Sequence, residues 1–318
     1  MPDKKLHKMG KIGMAFCLLF FCLFSFFGCA DQADNGGAGF TFTDAAGRTV
    51  CVEATERVVC AYGSYAEVWM LAGGNVLAAS EDVVSGRDVG LPEETLVIGT
   101  VKEPNLEAIL ALEPDFVLLS ADIAAHVKAA ETFERAGIAC AFVHIEHFED
   151  YLETLHIFTQ ITGREDLYEQ NGLAVGREVA QILERDRGEQ VPAVLFLRAY
   201  SSGADAKGED SMVGRMLQDL GAENIVDRHP SLLENLSVEE IILADPDYIF
   251  VSIMGSDSEA AIEALNERLW SNKAFDELRA LREEGRYIVL DKSLFHYKPN
   301  ARWAQAYEFL YETLYDEE

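Results

Sequence analysis

The chain has 318 residues and a formal charge of -29, with 49% hydrophobic and 10% aromatic residues. That length and apolar content can build two compact lobes or one large domain, and they exclude a chain that is disordered beyond its ends. The acidity excludes a nucleic-acid partner, because displacing counterions from phosphates takes a basic surface and none is evident.

The first elements form a leader. Lys4, Lys5, Lys8 and Lys11 make a positive stretch, and residues 12–27 are almost unbroken apolar sequence, short for a membrane span and suited to a secretory signal. The run closes on Gly28-Cys29, and residues 30–39 are rich in Gly, Ala, Asp and Asn. The junction resembles the lipobox of bacterial lipoproteins. That resemblance implies a signal peptide over 1–28, a diacylated (palmitate-type) Cys29 at the mature end, a flexible tether over 29–39, and a chain anchored at the outer face of the cytoplasmic membrane. Cys51, Cys60 and Cys140 remain in the body, an odd number that makes no disulfide framework and has no zinc-type spacing. Cys51 and Cys60 are expected as buried free thiols in apolar strands.

Beyond the tether, strand-like and helix-like patterns alternate. FTFTDAAGRTVCVEA reads as a hairpin turning at Ala45 to Gly47. RVVCAY, VLAAS, TLVIG, DFVLLS and ACAFVHI read as short strands, with helices after the first, third and fourth. This alternation predicts a parallel α/β lobe over 40–147. Residues 148–189 have helical periodicity throughout, interrupted near Gly163, and contain no strand candidate. Alternation resumes over 190–318 with AVLFLRAY, SMVGRMLQDLG, SVEEIILAD, DYIFVSIM, two helices between Ala260 and Glu284, YIVLD, and a helix from about Asn300. The fold class predicted is α/β, with two parallel-sheet lobes separated by a helical segment.

One pattern occurs twice. From Glu107 the chain runs E-A-I-L-A-L-E-P-D-F-V-L-L-S, and from Glu239 it runs E-E-I-I-L-A-D-P-D-Y-I-F-V-S, aligned without a gap. Each copy reads as a short helix stopped by proline, an Asp, and an apolar strand covered on both faces. One copy per lobe implies two lobes on similar plans.

These blocks, in order, resemble the substrate-binding proteins of ABC importers for iron-siderophores, haem and cobalamin. The opening hairpin, RVVCAYGSYAEVWMLAGG, VIGTVKEPNLEAILALEPDFVLLS, GRMLQDLGAENIV, LSVEEIILADPDYIFV and SLFHYKPNARWAQAYEFL carry the likeness, which covers nearly everything after the tether. It implies the periplasmic binding protein fold in which one long rigid helix joins the lobes, and a lipid-anchored monomeric receptor beside a permease and its ATPase. It also implies that Glu107 and Glu239 dock on permease arginines. Both fall in a first helical turn, where a carboxylate also favours the helix dipole.

The ligand is expected between the lobes, outside the carboxyl ends of the strands. That places Tyr62, Ser64, Tyr65 and Lys102 on one side of the mouth, with His144 and His147 nearby, and Arg198, Tyr200, Met254, His296, Tyr297 and Lys298 on the other. Aromatic, polar and cationic groups suit a large, partly apolar, anionic metal chelate, with a ferric-siderophore first and haem or cobalamin after it. Arg198 suits a carboxylate, and Met254 with His296 or a tyrosine could ligate haem iron. The chelate is cargo, so no resident cofactor or metal is expected. No nucleophile elbow, H-E-x-x-H motif or P-loop spacing is present, so no catalytic residue is assigned. The alternative from another class is a two-lobed tetrapyrrole chelatase using His144, Glu146 and His147 for proton transfer.

Overall fold

Two sheets of five strands organise the described residues, 39–86, 89–255 and 257–316, of the computed structural model. The expected signal peptide, Cys29 and all of the tether except Gly39 lie outside the described residues. β1 (Phe40–Thr43) and β2 (Thr49–Val52) form an antiparallel hairpin at the start. Asp44 closes its turn, accepting from the backbone N–H groups of Ala46 (3.0 Å), Arg48 (2.9 Å) and Phe142 (3.0 Å). Cys60 and Cys140 are buried and Cys51 is exposed, all three as free thiols. The exposed Cys51 corrects the expectation of a buried one: the period of two gives the inward face of β2 to Val50 and Val52.

The first sheet comprises β3 (Val58–Cys60), β4 (Ala78–Ala79), β5 (Leu96–Val97), β6 (Phe116–Ser120) and β7 (Ala139–Val143). All its pairings are parallel, in the order β5-β4-β3-β6-β7, so the strand order reverses between β3 and β6. Helices Gly63–Leu71, Leu106–Ala111 and Ala124–Arg135 follow β3, β5 and β6 as patterned. Helix Glu81–Gly86, after β4, is too short for its period to show in sequence.

The second sheet comprises β8 (Ala193–Tyr200), β9 (Gly203–Ala206), β10 (Glu223–Asn224), β11 (Tyr248–Ile253) and β12 (Tyr287–Val289). β10-β8-β11-β12 run parallel and β9 pairs antiparallel with β8, so this sheet is mixed where a purely parallel one was expected. β9 comes from Gly-Ala-Asp-Ala, whose buried Ala204 and Ala206 are too small to declare an alternation.

Between the sheets in sequence lies helix Phe148–Thr162, closed by Gly163 in the left-handed region (φ 71). A helical run from Glu165 to Leu183 follows, with one π turn at Glu169–Leu173. The helical segment expected between the lobes is two runs, divided at the Gly163 interruption that the sequence marks. The first packs on helix Gly63–Leu71, and Ala174–Leu183 packs on the C-terminal helix Trp303–Tyr315. One apolar cluster passes from Val58 and Phe116 through Tyr151, Leu155 and Val179 to Phe196, Phe250 and Trp303. The two sheets thus share a core on their facing sides.

The repeated stretch builds the same joint twice. Helix Leu106–Ala111 leads into β6 and helix Val238–Ala244 into β11, and each strand lies beside the first strand of its sheet. Ahead of each proline, Glu113 (φ 45) and Asp245 (φ 44) are left-handed, which ends the helix. Asp115 N donates to Arg57 O at 3.0 Å while Arg57 N donates to Asp115 Oδ2 at 2.9 Å. Asp247 N donates to Ala193 O at 2.7 Å while Ala193 N donates to Asp247 Oδ2 at 2.8 Å. An arginine also covers each helix end, Arg57 on the Leu112 carbonyl and Arg279 on that of Asp245.

Asp115→Ala and Asp247→Ala each leave the N–H at the entry of the neighbouring strand unmet. Each should lower the unfolding free energy by about 1 kcal/mol or more, read from urea midpoints. Asp247→Ala should cost more, because Arg279 also loses a partner. Unchanged midpoints would show that this reciprocal pair does not hold the joint.

Candidate functional site

A parallel sheet presents its binding loops at the carboxyl ends of its strands, foremost where strand order reverses. In the first sheet Tyr62, Ser64 and Tyr65 follow β3, Ala121 and Asp122 follow β6, and His144 to His147 follow β7. In the second, Arg198 and Tyr200 end β8 and Met254 follows β11. The segment before the C-terminal helix crosses to the first group. Asn300, buried and left-handed (φ 53), donates from Nδ2 to Ser64 O at 3.2 Å and to Glu67 Oε2 at 2.8 Å. Lys298 N donates to Ser64 Oγ at 3.5 Å. His296, Tyr297 and Lys298 are carried to the mouth by this crossing.

Glu146 is where the parts meet. Its Oε1 accepts from Arg198 Nη2 at 3.0 Å and from Met212 N at 2.9 Å, and its Oε2 accepts from Lys298 Nζ at 2.6 Å. The side chains of Glu146, Arg198 and Lys298 are 21%, 25% and 12% exposed, so the group is largely withdrawn from water and still reachable from it. Burial alone would raise the Glu146 pKa. Lys298 first, then Arg198 and the Met212 N–H, outweigh that and hold it at about 2. Met212 opens helix Met212–Asp219, whose positive end adds to the attraction. Asp150 Oδ2 accepts from Glu146 N at 2.9 Å and His147 N at 2.8 Å, fixing the chain that presents the carboxylate.

The other expected residues divide. Tyr62 stands edge-on to Tyr65, with ring centroids 4.8 Å apart, and His296 lies 4.9 Å from Tyr297. Tyr62, Tyr200, Met254, His296 and Tyr297 are part-buried around the mouth. Ser64 and Tyr65 were expected on its surface and are instead buried, with Tyr65 Oη 3.5 Å from Ser120 Oγ. Helix Gly63–Leu71 is apolar nearly all round, so these two back the wall. Lys102 is exposed on a loop pinned from below, because buried His126 accepts from Ser120 N at Nδ1 (2.9 Å) and donates from Nε2 to Val101 O (2.8 Å). Burial pulls the His126 pKa down, which matches a neutral ring. His144 is exposed and pairs with Asp122 at 2.8 Å, while His147 precedes helix Phe148–Thr162, so the two histidines diverge. Among the described residues no group of three His, Cys, Asp or Glu side chains is placed to hold a metal ion. A separate cavity of about 220 Å³ lies under the hairpin, between Phe42, Phe142 and Ile157, and takes in His144 and Asp150 of the residues above.

Sequence reasoning named Arg198, near the end of β8, and Lys298, ahead of the C-terminal helix, and did not pair either with Glu146. A lone carboxylate leaving a strand opposite two cations was the available signal. Glu107 and Glu239 are both exposed in the first turns of equivalent helices. Each helix precedes a parallel strand and so begins on the carboxyl-end side of its sheet, which puts both glutamates on that side.

The model of the family described as "Periplasmic binding protein" matches residues 58–294. The chain belongs to that family. Its similarity to the "Fe(3+)-citrate-binding protein YfmC" of Bacillus subtilis (strain 168) is 25% identity over 246 residues, 71% of this chain and 74% of that protein. The siderophore-binding protein BauB, solved with ferric iron and two molecules of acinetobactin, superposes with a TM-score of 0.69 at 18% identity, covering 88% of this chain and 100% of that one. IsdE of S. aureus, solved with haem, gives a TM-score of 0.67 at 17% identity over 82% of this chain and 99% of that one. These structural likenesses establish the periplasmic binding protein fold.

The depressed pKa of Glu146 has a definite acid signature. With a folded value of about 2 against an ordinary 4.5, the ionised group contributes stability that is fully present above the ordinary value and lost as pH falls towards the folded one. Thermal melts from about pH 5 to about pH 2.5 should therefore fall more steeply for the wild type than for Glu146→Gln. Parallel curves would mean that the carboxylate is not held ionised by its cations.

Proposed function

We propose that this chain is the substrate-binding lipoprotein of an ABC importer, capturing a ferric-siderophore or related iron chelate and handing it to the membrane permease. The observation that carries the reading is the gathering of Arg198 and Lys298, with Tyr62, Tyr200 and Tyr297 around them, where the carboxyl ends of the two sheets meet a crossing segment. Cationic donors suit chelating oxygens, and aromatic walls suit a partly apolar ligand. The iron-citrate relative and the siderophore-bound neighbour support the same class. Glu107 and Glu239, exposed on the same side of the molecule, dock on the permease, and Cys29 carries the lipid that keeps the monomeric receptor at the outer face of the cytoplasmic membrane. Among the described residues no helix is long and apolar enough to cross a membrane.

The chain performs no reaction in this reading. Glu146 is a poor proton donor near neutral pH, because its cations keep it ionised, and this disfavours the chelatase-like alternative. Haem is the second cargo considered, on the part-buried Met254 and His296 and the haem-bound neighbour. Cobalamin stands behind it.

Fluorescence quenching and absorbance on adding ferric citrate, ferric siderophores, haemin and cobalamin should reveal saturable binding of an iron chelate. A strong Soret band with haemin alone would move the cargo to haem, and no binding at all would overturn the receptor reading. Arg198→Ala should weaken chelate binding by about tenfold or more. Glu107→Ala combined with Glu239→Ala should abolish iron uptake in cells while leaving the affinity of the purified protein unchanged; an equal loss of affinity would place those residues in the ligand site.

A further inference from the structure

We propose that Glu146 sets the charge of the cargo, making the cleft favour iron chelates of low net charge over strongly anionic ones. The inference rests on the reading of the cleft as a ferric-chelate site. Arg198 and Lys298 alone would present two positive charges at the mouth; with Glu146 between them the group carries one. Asp150 stands directly behind, on the backbone of Glu146 and His147, and Asp122 lies on the same rim against His144. The first-sheet side of the mouth thus presents Glu146 and Asp122, and the cations of the other side are already engaged with Glu146. They keep donors to offer. A guanidinium has five N–H groups and an ammonium three, and among the described residues each cationic head gives one hydrogen bond, to Glu146.

A chelate oxygen can thus still be held by Arg198 and Lys298, while each further negative charge on the ligand meets Glu146 as well. At about 7 Å and an effective dielectric of about 20, removing the Glu146 charge shifts affinity by about tenfold or more for a ligand charge at that distance. Glu146 is also anchored on three sides, by Arg198, Lys298 and the Met212 N–H, so it does not swing away at little cost.

Two ferric complexes of similar size separate the possibilities: a neutral trihydroxamate and a trianionic tris-catecholate, titrated by fluorescence quenching at low ionic strength. The wild type should bind the neutral complex more tightly. Glu146→Gln keeps the shape, and its one carbonyl oxygen can still accept from Arg198 and Met212 N–H; it should gain about tenfold or more for the trianion relative to the neutral complex. Added salt should narrow the difference between the two proteins. A wild type that prefers the trianion, or a variant that changes both affinities alike, would overturn the charge rule while leaving the receptor reading intact. A folded wild type that binds neither complex nor any other iron chelate would overturn the receptor reading and the charge rule together.

Discussion

A carboxylate taken largely out of water is destabilising unless cations and N–H donors meet it. Glu146 is met by three donors from three parts of the chain: the end of β8, the start of helix Met212–Asp219, and the segment that crosses back to helix Gly63–Leu71. Replacing such a group by apolar residues can leave stability unharmed, so its main effect lies in geometry. Both oxygens are occupied and the backbone behind them is tied to Asp150, which fixes how Glu146, Arg198 and Lys298 meet. The shared apolar core brings the two sheets together. The charged group, with Asn300 on Ser64 and Glu67, decides which strand ends face each other.

The framework was legible in the sequence wherever burial repeats along the chain. β3, β6, β8 and β11 are near-continuous apolar runs because both faces of their sheets are covered, and such runs announce themselves. The duplicated helix-Pro-Asp-strand pattern was legible for a second reason. A left-handed residue, a proline that stops the helix, and an Asp that satisfies the entry of the adjacent strand form one joint, and each position tolerates few residue types. β9, β10 and helix Glu81–Gly86 were missed because two to six residues hold too little periodicity to stand out.

The site was legible only to the level of strand ends. Fixing the strands fixed that Tyr62, Arg198, Tyr200 and Met254 stand at carboxyl ends, and that much followed from pattern. The pairing of Glu146 with Arg198 and Lys298 spans 52 and 152 positions and leaves no local trace. The burial of Ser64 and Tyr65 was hidden for a different reason: a helix buried nearly all round shows no polar face from which to read which side chains point to the mouth.

The chain is strongly acidic, and its glutamates work under different physics according to what surrounds them. Glu107 and Glu239 are exposed at helix starts, and among the described residues neither forms an ion pair. A charge so placed remains available to a cation arriving from outside; it acts on encounter and orientation and is screened by salt. Glu146 has its cations within the fold and little water around it, so its field acts over a few ångströms on whatever occupies the mouth. One residue type can thus stand open to solvent or act as an internal counterion. Burial and the supply of local cations separate the two, and neither can be read from the count of acidic residues.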